Sequence, residues 1–277
     1  MGQATMSPSL VHAYLDRIGL PAAAGALPPP TLPTLAALHW AHLCSVPFEN
    51  LSLRLEAAQK QHGIHTDLQS IYQKLVGSRR GGYCYEQNAL FGAVLRSLGF
   101  DVVDGAARVV QPPQREAGGE ADAVPLLDGV QAPAPELRLT GHDHHVLFVW
   151  LDGRLWLADV GFGGQLRAGY YLQHRSLADG SWKYLYFFRL DEFLPQDYAI
   201  MNHYITQHLQ SYFRHNTVVA RETREGRVTL FNSTFRRWRE GEAAPHEERE
   251  VEGEAALLAL LADHFDLRFT AEEAGTI

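Results

Sequence analysis

Two apolar runs, Val146-Leu147-Phe148-Val149-Trp150-Leu151 and Leu155-Trp156-Leu157-Ala158, stand on either side of Asp152-Gly153, a strong hairpin signal. The first run is continuous, with both faces apolar. The ends of this hairpin carry ionisable groups. His142-Asp143-His144-His145 leads into the first strand, and Asp159 follows the second, between Ala158 and Val160-Gly161-Phe162-Gly163-Gly164. Antiparallel pairing about the turn brings His144 and His145 near residues 158–160, where an aspartate reaches a histidine. Alternation puts His144 with Val146 and Phe148 and His145 with Leu147 and Val149, and both faces being apolar, the pattern does not choose between them. An unpartnered carboxylate inside an apolar run is costly, which sets a paired Asp159 against the plainer role of a turn-former beside glycine. Three histidines within four residues also suit a metal, but no second dense cluster of Cys, His or carboxylates completes a site, and none is expected.

A second stretch supplies what a histidine–aspartate pair would serve. Arg80-Gly81-Gly82-Tyr83-Cys84-Tyr85-Glu86-Gln87-Asn88 places a cysteine behind a glycine pair, and Leu90, Phe91, Val94, Leu95 and Leu98 then follow helical spacing up to Gly99. Cys84 is therefore expected in the first helical turn, where unpaired N–H groups and the helix dipole stabilise a thiolate. The competing reading is a buried, inert thiol. A cysteine nucleophile needs a base, and the base is normally oriented by a third group.

The rest of the chain bounds the possibilities. The 277 residues allow two or three units around substantial cores. A net charge of −8 argues against nucleic acid as the main partner. The two cysteines, Cys44 and Cys84, make neither a disulfide framework nor a Cys-x-x-Cys pair. With no apolar stretch of about 18 residues and no secretory pattern at the start, a soluble cytoplasmic protein without membrane contact is expected. Helices are expected from Pro33-Thr34 to just before Pro47, over Asp67–Val76, from Cys84 to Leu98 and over Glu252–Phe265. Strands are expected at Val102-Val103, Ala107–Val110, the hairpin, Trp182–Leu190, Thr217–Arg221 and Val228–Phe231. The segment 111–136, rich in proline, glycine and alanine, reads as an inserted loop, and the charged run Arg236–Glu250 as a solvated loop.

With these residues assembled, the chain resembles the arylamine N-acetyltransferases from about Tyr14 to Phe231. The nucleophile motif is Arg80-Gly81-Gly82-Tyr83-Cys84, with Asn88 in place. His144, followed by Leu147 and Val149, fits the family histidine and His145 does not. Asp159-Val160-Gly161-Phe162-Gly163 fits the aspartate motif, fifteen residues after His144. Pro47-Phe48-Glu49-Asn50-Leu51, Pro195, Asp197, Tyr198, Asn202, Tyr204, His208, Ser211 and Phe213 also agree.

The resemblance implies an α+β fold with a cysteine-protease-like core: a helical bundle (1–98) carrying Cys84, a central antiparallel β-barrel (99–205, with the 111–136 insertion), and a C-terminal α/β lid (206–277). It implies ping-pong acetyl transfer from acetyl-CoA, through Cys84, to an arylamine, arylhydroxylamine or hydrazine. Cys84, His144 and Asp159 would be catalytic, and backbone N–H groups around Cys84 and Tyr85 would hold the oxyanion. Phe48, Val109, Phe162 and Phe213 match acceptor-pocket positions, Gly163 a cofactor position, and Arg80 and Glu49 an ion pair supporting the cysteine loop. A homodimer is compatible with this reading. Two departures stand out: Asp143 replaces the usual threonine, and the interval from Cys84 to His144 is longer than in bacterial members. The alternatives are a Cys-His-Asp amide hydrolase or transglutaminase-like enzyme, or a non-enzymatic relative.

Overall fold

A computed structural model describes residues 4–22, 26–55, 64–111, 138–162, 171–175, 182–242 and 244–277. Four N-terminal helices come first. Helix α1 (Pro8–Arg17) has proline in its first turn, where the missing N–H is not needed. Helix α2 (Leu32–Ser45) is capped by Thr31, whose side chain accepts from the Thr34 N–H at 3.3 Å. Helix α3 (Leu68–Tyr72), capped by Asp67, continues through a π-helical turn at Gln73–Gly77, so the helix expected over Asp67–Val76 is not uniformly α. Helix α4 (Cys84–Ser97) starts at the cysteine and gives way to Gly99 at φ +89°.

These helices bury Val11, Leu38, Ile71, Leu75, Phe91 and Val94 in one core, to which the hairpin contributes Leu147 and Val149. The other face of the same strand packs Val146 and Phe148 against Tyr186 and Phe188. Val146 to Val149 are thus buried on alternating faces, whereas Trp150 at the end of the run is 49% exposed. The sheet comprises β2 (Asp101–Gln111), β3 (Arg138–Leu139), β4 (His144–Leu151), β5 (Arg154–Ala158), β6 (Tyr171–Arg175) and β7 (Trp182–Phe188). Its order is β5-β4-β2-β7-β6, with β3 on β2, and among the described residues the path does not close into a ring. Strand β2 is continuous where two short strands were expected. Pairing with β4 runs through Gly105, which leaves room for the Phe148 ring, since a Cβ there would lie 2.3 Å from it. Asp152 and Gly153 both take positive φ, as a two-residue type I′ turn requires, and pair Leu151 with Arg154.

Helices α5 (Pro195–Gln207) and α6 (Tyr212–His215) lead to a second sheet, β1-β8-β9-β10-β11, built from β1 (Phe48–Glu49), β8 (Val218–Thr223), β9 (Gly226–Phe231), β10 (Thr234–Arg239) and β11 (Glu247–Glu250). Helices α7 (Glu254–Phe265) and α8 (Ala271–Ala274) end the chain, and Val219, Leu230, Phe235, Leu261 and Phe265 form this core. The charged run Arg236–Glu250, expected as a solvated loop, instead supplies most of β10 and all of β11. Arg236 stands opposite Glu248 and Arg237 opposite Glu247, and opposite charges across a strand pair favour the ladder. Of the insertion expected over 111–136, Gln111 instead ends β2, and 112–136 lie outside the described residues. Among the described residues, no helix is long and apolar enough to cross a membrane.

Candidate active site

Cys84 opens α4 from a loop with little freedom. Glu49 N–H donates to the Gly82 carbonyl at 2.9 Å, and Gly82 N–H to the Pro47 carbonyl at 3.2 Å. A Cβ on Gly81 would lie 2.3 Å from that carbonyl oxygen, so the glycine is a steric requirement. Glu86 accepts from the Tyr83 N–H at 3.1 Å and from Lys74 Nζ at 2.8 Å, closing the helix start. The thiol is buried, with Sγ 3.8 Å from the Asp143 carbonyl oxygen.

Strand β4 begins at His144, whose Nε2 lies 2.6 Å from Asp159 Oδ2, and the neighbouring Cys84 side chain acts electrostatically on its ring. Both His144 and Asp159 are buried. Asp159 receives three further donors: Asn88 Nδ2 at 2.8 Å and Gly161 N–H at 2.9 Å on Oδ1, and Tyr186 Oη at 2.9 Å on Oδ2. Burial raises the Asp159 pKa, but His144, Asn88 and Gly161 outweigh it and hold the carboxyl below its ordinary value. Burial likewise opposes charge on His144, whereas Asp159 and Cys84 favour the imidazolium and lift its pKa to about 10. Gly161 also permits a close approach, because a Cβ there would lie 2.6 Å from Cys84 Cα.

His145 takes the opposite face. Its Nε2 lies 2.9 Å from Asp104 Oδ1, its ring stacks on Tyr198 with centroids 4.1 Å apart, and Asp104 also pairs with Arg96. Successive residues thus enter two histidine–aspartate pairs, and of these two histidines His144 is the one whose charge Cys84 favours. Asp143 orients its carboxylate toward Thr140 Oγ1 at 2.6 Å, and burial raises its pKa.

Phe48 and Phe162 line one cleft with Val46, Val160 and the β8 residues Ala220 and Arg221. The Phe162 ring centroid is 5.1 Å from that of His144, and Phe213 lies 6.1 Å from Phe48. Val109 is not in that cleft; it sits on β2, its N–H bonded to Thr140 Oγ1. Gly163 lies outside the described residues. The expected Arg80–Glu49 pair is not formed. Arg80 Nη1 bonds Glu273 Oε1 at 2.9 Å, while Glu49 accepts from the Leu51 N–H at 2.7 Å and lies 3.6 Å from Lys74 Nζ. Glu49, the second residue of β1, turns back on its own backbone, leaving Arg80 to a carboxylate from the other end of the chain. Among the described residues, no group of three or more His, Cys, Asp or Glu could hold a metal ion.

Sequence reasoning missed Tyr186 and gave no role to Asn88 or Gly161. Tyr186 has no local signal, being one aromatic in a strand, whereas Asn88 lies one helical turn after Cys84 and Gly161 inside the aspartate motif.

The N-acetyltransferase family pattern matches residues 31–124 and 167–274. An arylamine N-acetyltransferase of Escherichia coli K12 is 35% identical, covering 95% of this chain and 90% of its own length. The structure of arylamine N-acetyltransferase from Salmonella typhimurium superposes with a TM-score of 0.77 at 29% identity, over 98% of each chain. That of the Mycobacterium marinum arylamine N-acetyltransferase in complex with CoA gives 0.71 at 27% identity, over 92% of each chain.

Proposed function

The chain belongs to the arylamine N-acetyltransferase family, and we propose that it transfers acetyl from acetyl-CoA to an aromatic amine, arylhydroxylamine or hydrazine through a thioester on Cys84. It is an acyltransferase of mixed α and β fold. The observation that carries the mechanism is the His144 Nε2–Asp159 Oδ2 bond of 2.6 Å. It leaves Nδ1 for the thiol, and the raised pKa of His144 favours a thiolate–imidazolium pair.

In the first half-reaction the Cys84 thiolate attacks the thioester carbonyl. The C–S bond to CoA breaks, and the CoA sulfur takes the proton from His144. In the second, the amine nitrogen attacks the Cys84 thioester, His144 takes the amine proton, and the thiolate leaves. Asp159 fixes the imidazole and stabilises its charge. The N–H groups of Cys84 and Tyr85, at a helix start without intrahelical acceptors, suit the oxyanion. Phe48, Phe162 and Phe213 suit a flat aromatic acceptor, with Val109 bordering the Asp143 turn. Gly163 would let CoA approach the backbone. The relative whose structure is in complex with CoA supports acetyl-CoA as donor. The division into bundle (1–98), barrel (99–205) and lid (206–277) about a cysteine-protease-like core belongs to the same reading.

Incubation with acetyl-CoA followed by peptide mass spectrometry tests it. We expect acetyl on Cys84, discharged by an added arylamine to the N-acetylated product. No acetyl on Cys84 would sink the proposal, and discharge to water or to lysine alone would favour the hydrolase or transglutaminase-like alternative.

A further inference from the structure

The two arginines ahead of the glycine pair are both held by the C-terminal end of the chain. Arg79 Nη2 lies 3.2 Å from Asp266 Oδ2, and Arg80 Nη1 lies 2.9 Å from Glu273 Oε1. The Arg80 guanidinium carbon also sits 4.0 Å from the centroid of the Phe269 ring. Arg80 is 7% exposed, and its Nε and Nη2 are buried without a hydrogen-bond partner. Glu273 is therefore the acceptor on which this buried charge depends. That carboxylate is itself oriented, since its Oε2 accepts the Thr270 N–H at 2.9 Å while its own N–H reaches Thr270 Oγ1 at 3.3 Å, a capping box on α8.

Little slack separates Arg80 from the thiol. Arg80 N–H donates to the Lys74 carbonyl at 3.0 Å, and the Arg79 carbonyl accepts from Arg17 Nη2 at 3.3 Å. Gly81 and Gly82 follow, clamped against Pro47 and Glu49 as described above. A shift of the Arg80 side chain is thus passed along constrained backbone to the first residue of α4, and thiol–imidazole alignment is sensitive to displacements of about 1 Å.

We propose that Glu273, acting through Arg80, is a positioning residue for Cys84, so that the segment from Asp266 to Ala274 sets the register of the thiol against His144. The inference rests on the reading of Cys84 as nucleophile, and its test uses a reaction that needs no acetyl transfer: alkylation of Cys84 by iodoacetamide, in a Cys44→Ser background that removes the other thiol.

The alkylation rate is measured against pH, alongside kcat, KM and Tm, for the parent, Glu273→Ala, Glu273→Gln and Leu257→Ala. Leu257 packs on the C-terminal core, and its truncation is a control for lost stability alone. Glu273→Ala is expected to slow alkylation at neutral pH about tenfold, shift its pH midpoint and lower kcat in parallel, with KM for the amine within about twofold. Glu273→Gln keeps an amide oxygen for Arg80 and is expected to recover part of the rate; if the alanine variant does not fold, the glutamine variant decides. The proposal is overturned if the Glu273 variants keep the parental alkylation profile and kcat, or if Leu257→Ala at equal Tm reproduces the loss. Slowed alkylation in a protein that never forms an acetyl-enzyme would sustain the positioning role and sink the acetyl-transfer reading, so the two failures are distinguishable.

Discussion

Asp159 has no solvent exposure and is held by four donors, so its charge is stabilised by fixed dipoles and by the His144 imidazolium in place of water. Replacing it with asparagine should preserve the fold and lower kcat about 10³- to 10⁴-fold, the effect of a misoriented or wrongly tautomeric imidazole. Unchanged turnover in Asp159→Asn would remove the mechanism. The pair also predicts a pH dependence of stability. His144 titrates higher in the folded chain, at about 10, than its ordinary 6.5, so its protonation favours folding. This contribution is fully present below pH about 6.5 and is lost as the pH rises through about 10. Urea unfolding across that window should show the native protein losing more stability than Asp159→Asn, and parallel curves would contradict the assignment. At this scale the thiol and the aspartate were legible in the sequence, each beside its glycine motif. The choice between His144 and His145 needed the family resemblance, and the Tyr186 donor was illegible because nothing local marks which aromatic of a strand meets a given carboxylate.

Helix α4 and the β4–β5 hairpin show what patterning specifies in an element. The helix begins at Cys84 as its apolar spacing requires, and the hairpin turns at Asp152-Gly153 because two consecutive positive φ values suit those residues. Where the two elements meet, Gly161 leaves room for the Cys84 backbone. Gly161→Ala places a methyl 2.6 Å from Cys84 Cα and should therefore displace the thiol. We expect loss of Cys84 acetylation and of amine turnover with far-UV circular dichroism retained; full activity would show that the contact is not limiting. Strands β10 and β11 mark where pattern reading stopped. Arginines and glutamates in succession resemble a solvated loop until the partner strand is known, and only then do they become facing ion pairs such as Arg236–Glu248 at 2.6 Å.

The molecule is tied together across its length. Strand β1, from the N-terminal part of the chain, is the edge of the C-terminal sheet and pairs Phe48 with Ala220. Buried Asn50 fastens it, with Nδ2 donating to the Phe213 and Asn216 carbonyls at 2.9 and 2.7 Å and Oδ1 accepting from the Val218 N–H at 2.8 Å. Asn50→Ala leaves three backbone groups without that partner and should lower stability by about 2–4 kcal/mol. Urea unfolding should keep a single transition at a lower midpoint. An unchanged midpoint would contradict this role, and two separate transitions would show that the sheet and the helices fold independently.

Local chemistry determined what the sequence could give by itself: a thiol at a helix start behind two glycines, and a hairpin with histidines at one end and an aspartate at the other. Spacing and turn preference act over a few residues, so they can be read without a fold. Tertiary structure decided which side chains meet. Opposite strand faces send His144 to Asp159 and His145 to Asp104, and Arg80 takes Glu273, 193 residues away, in place of Glu49. The physical reason is that a buried charge takes the partner that the surrounding packing brings within hydrogen-bond distance, and sequence proximity does not encode that geometry.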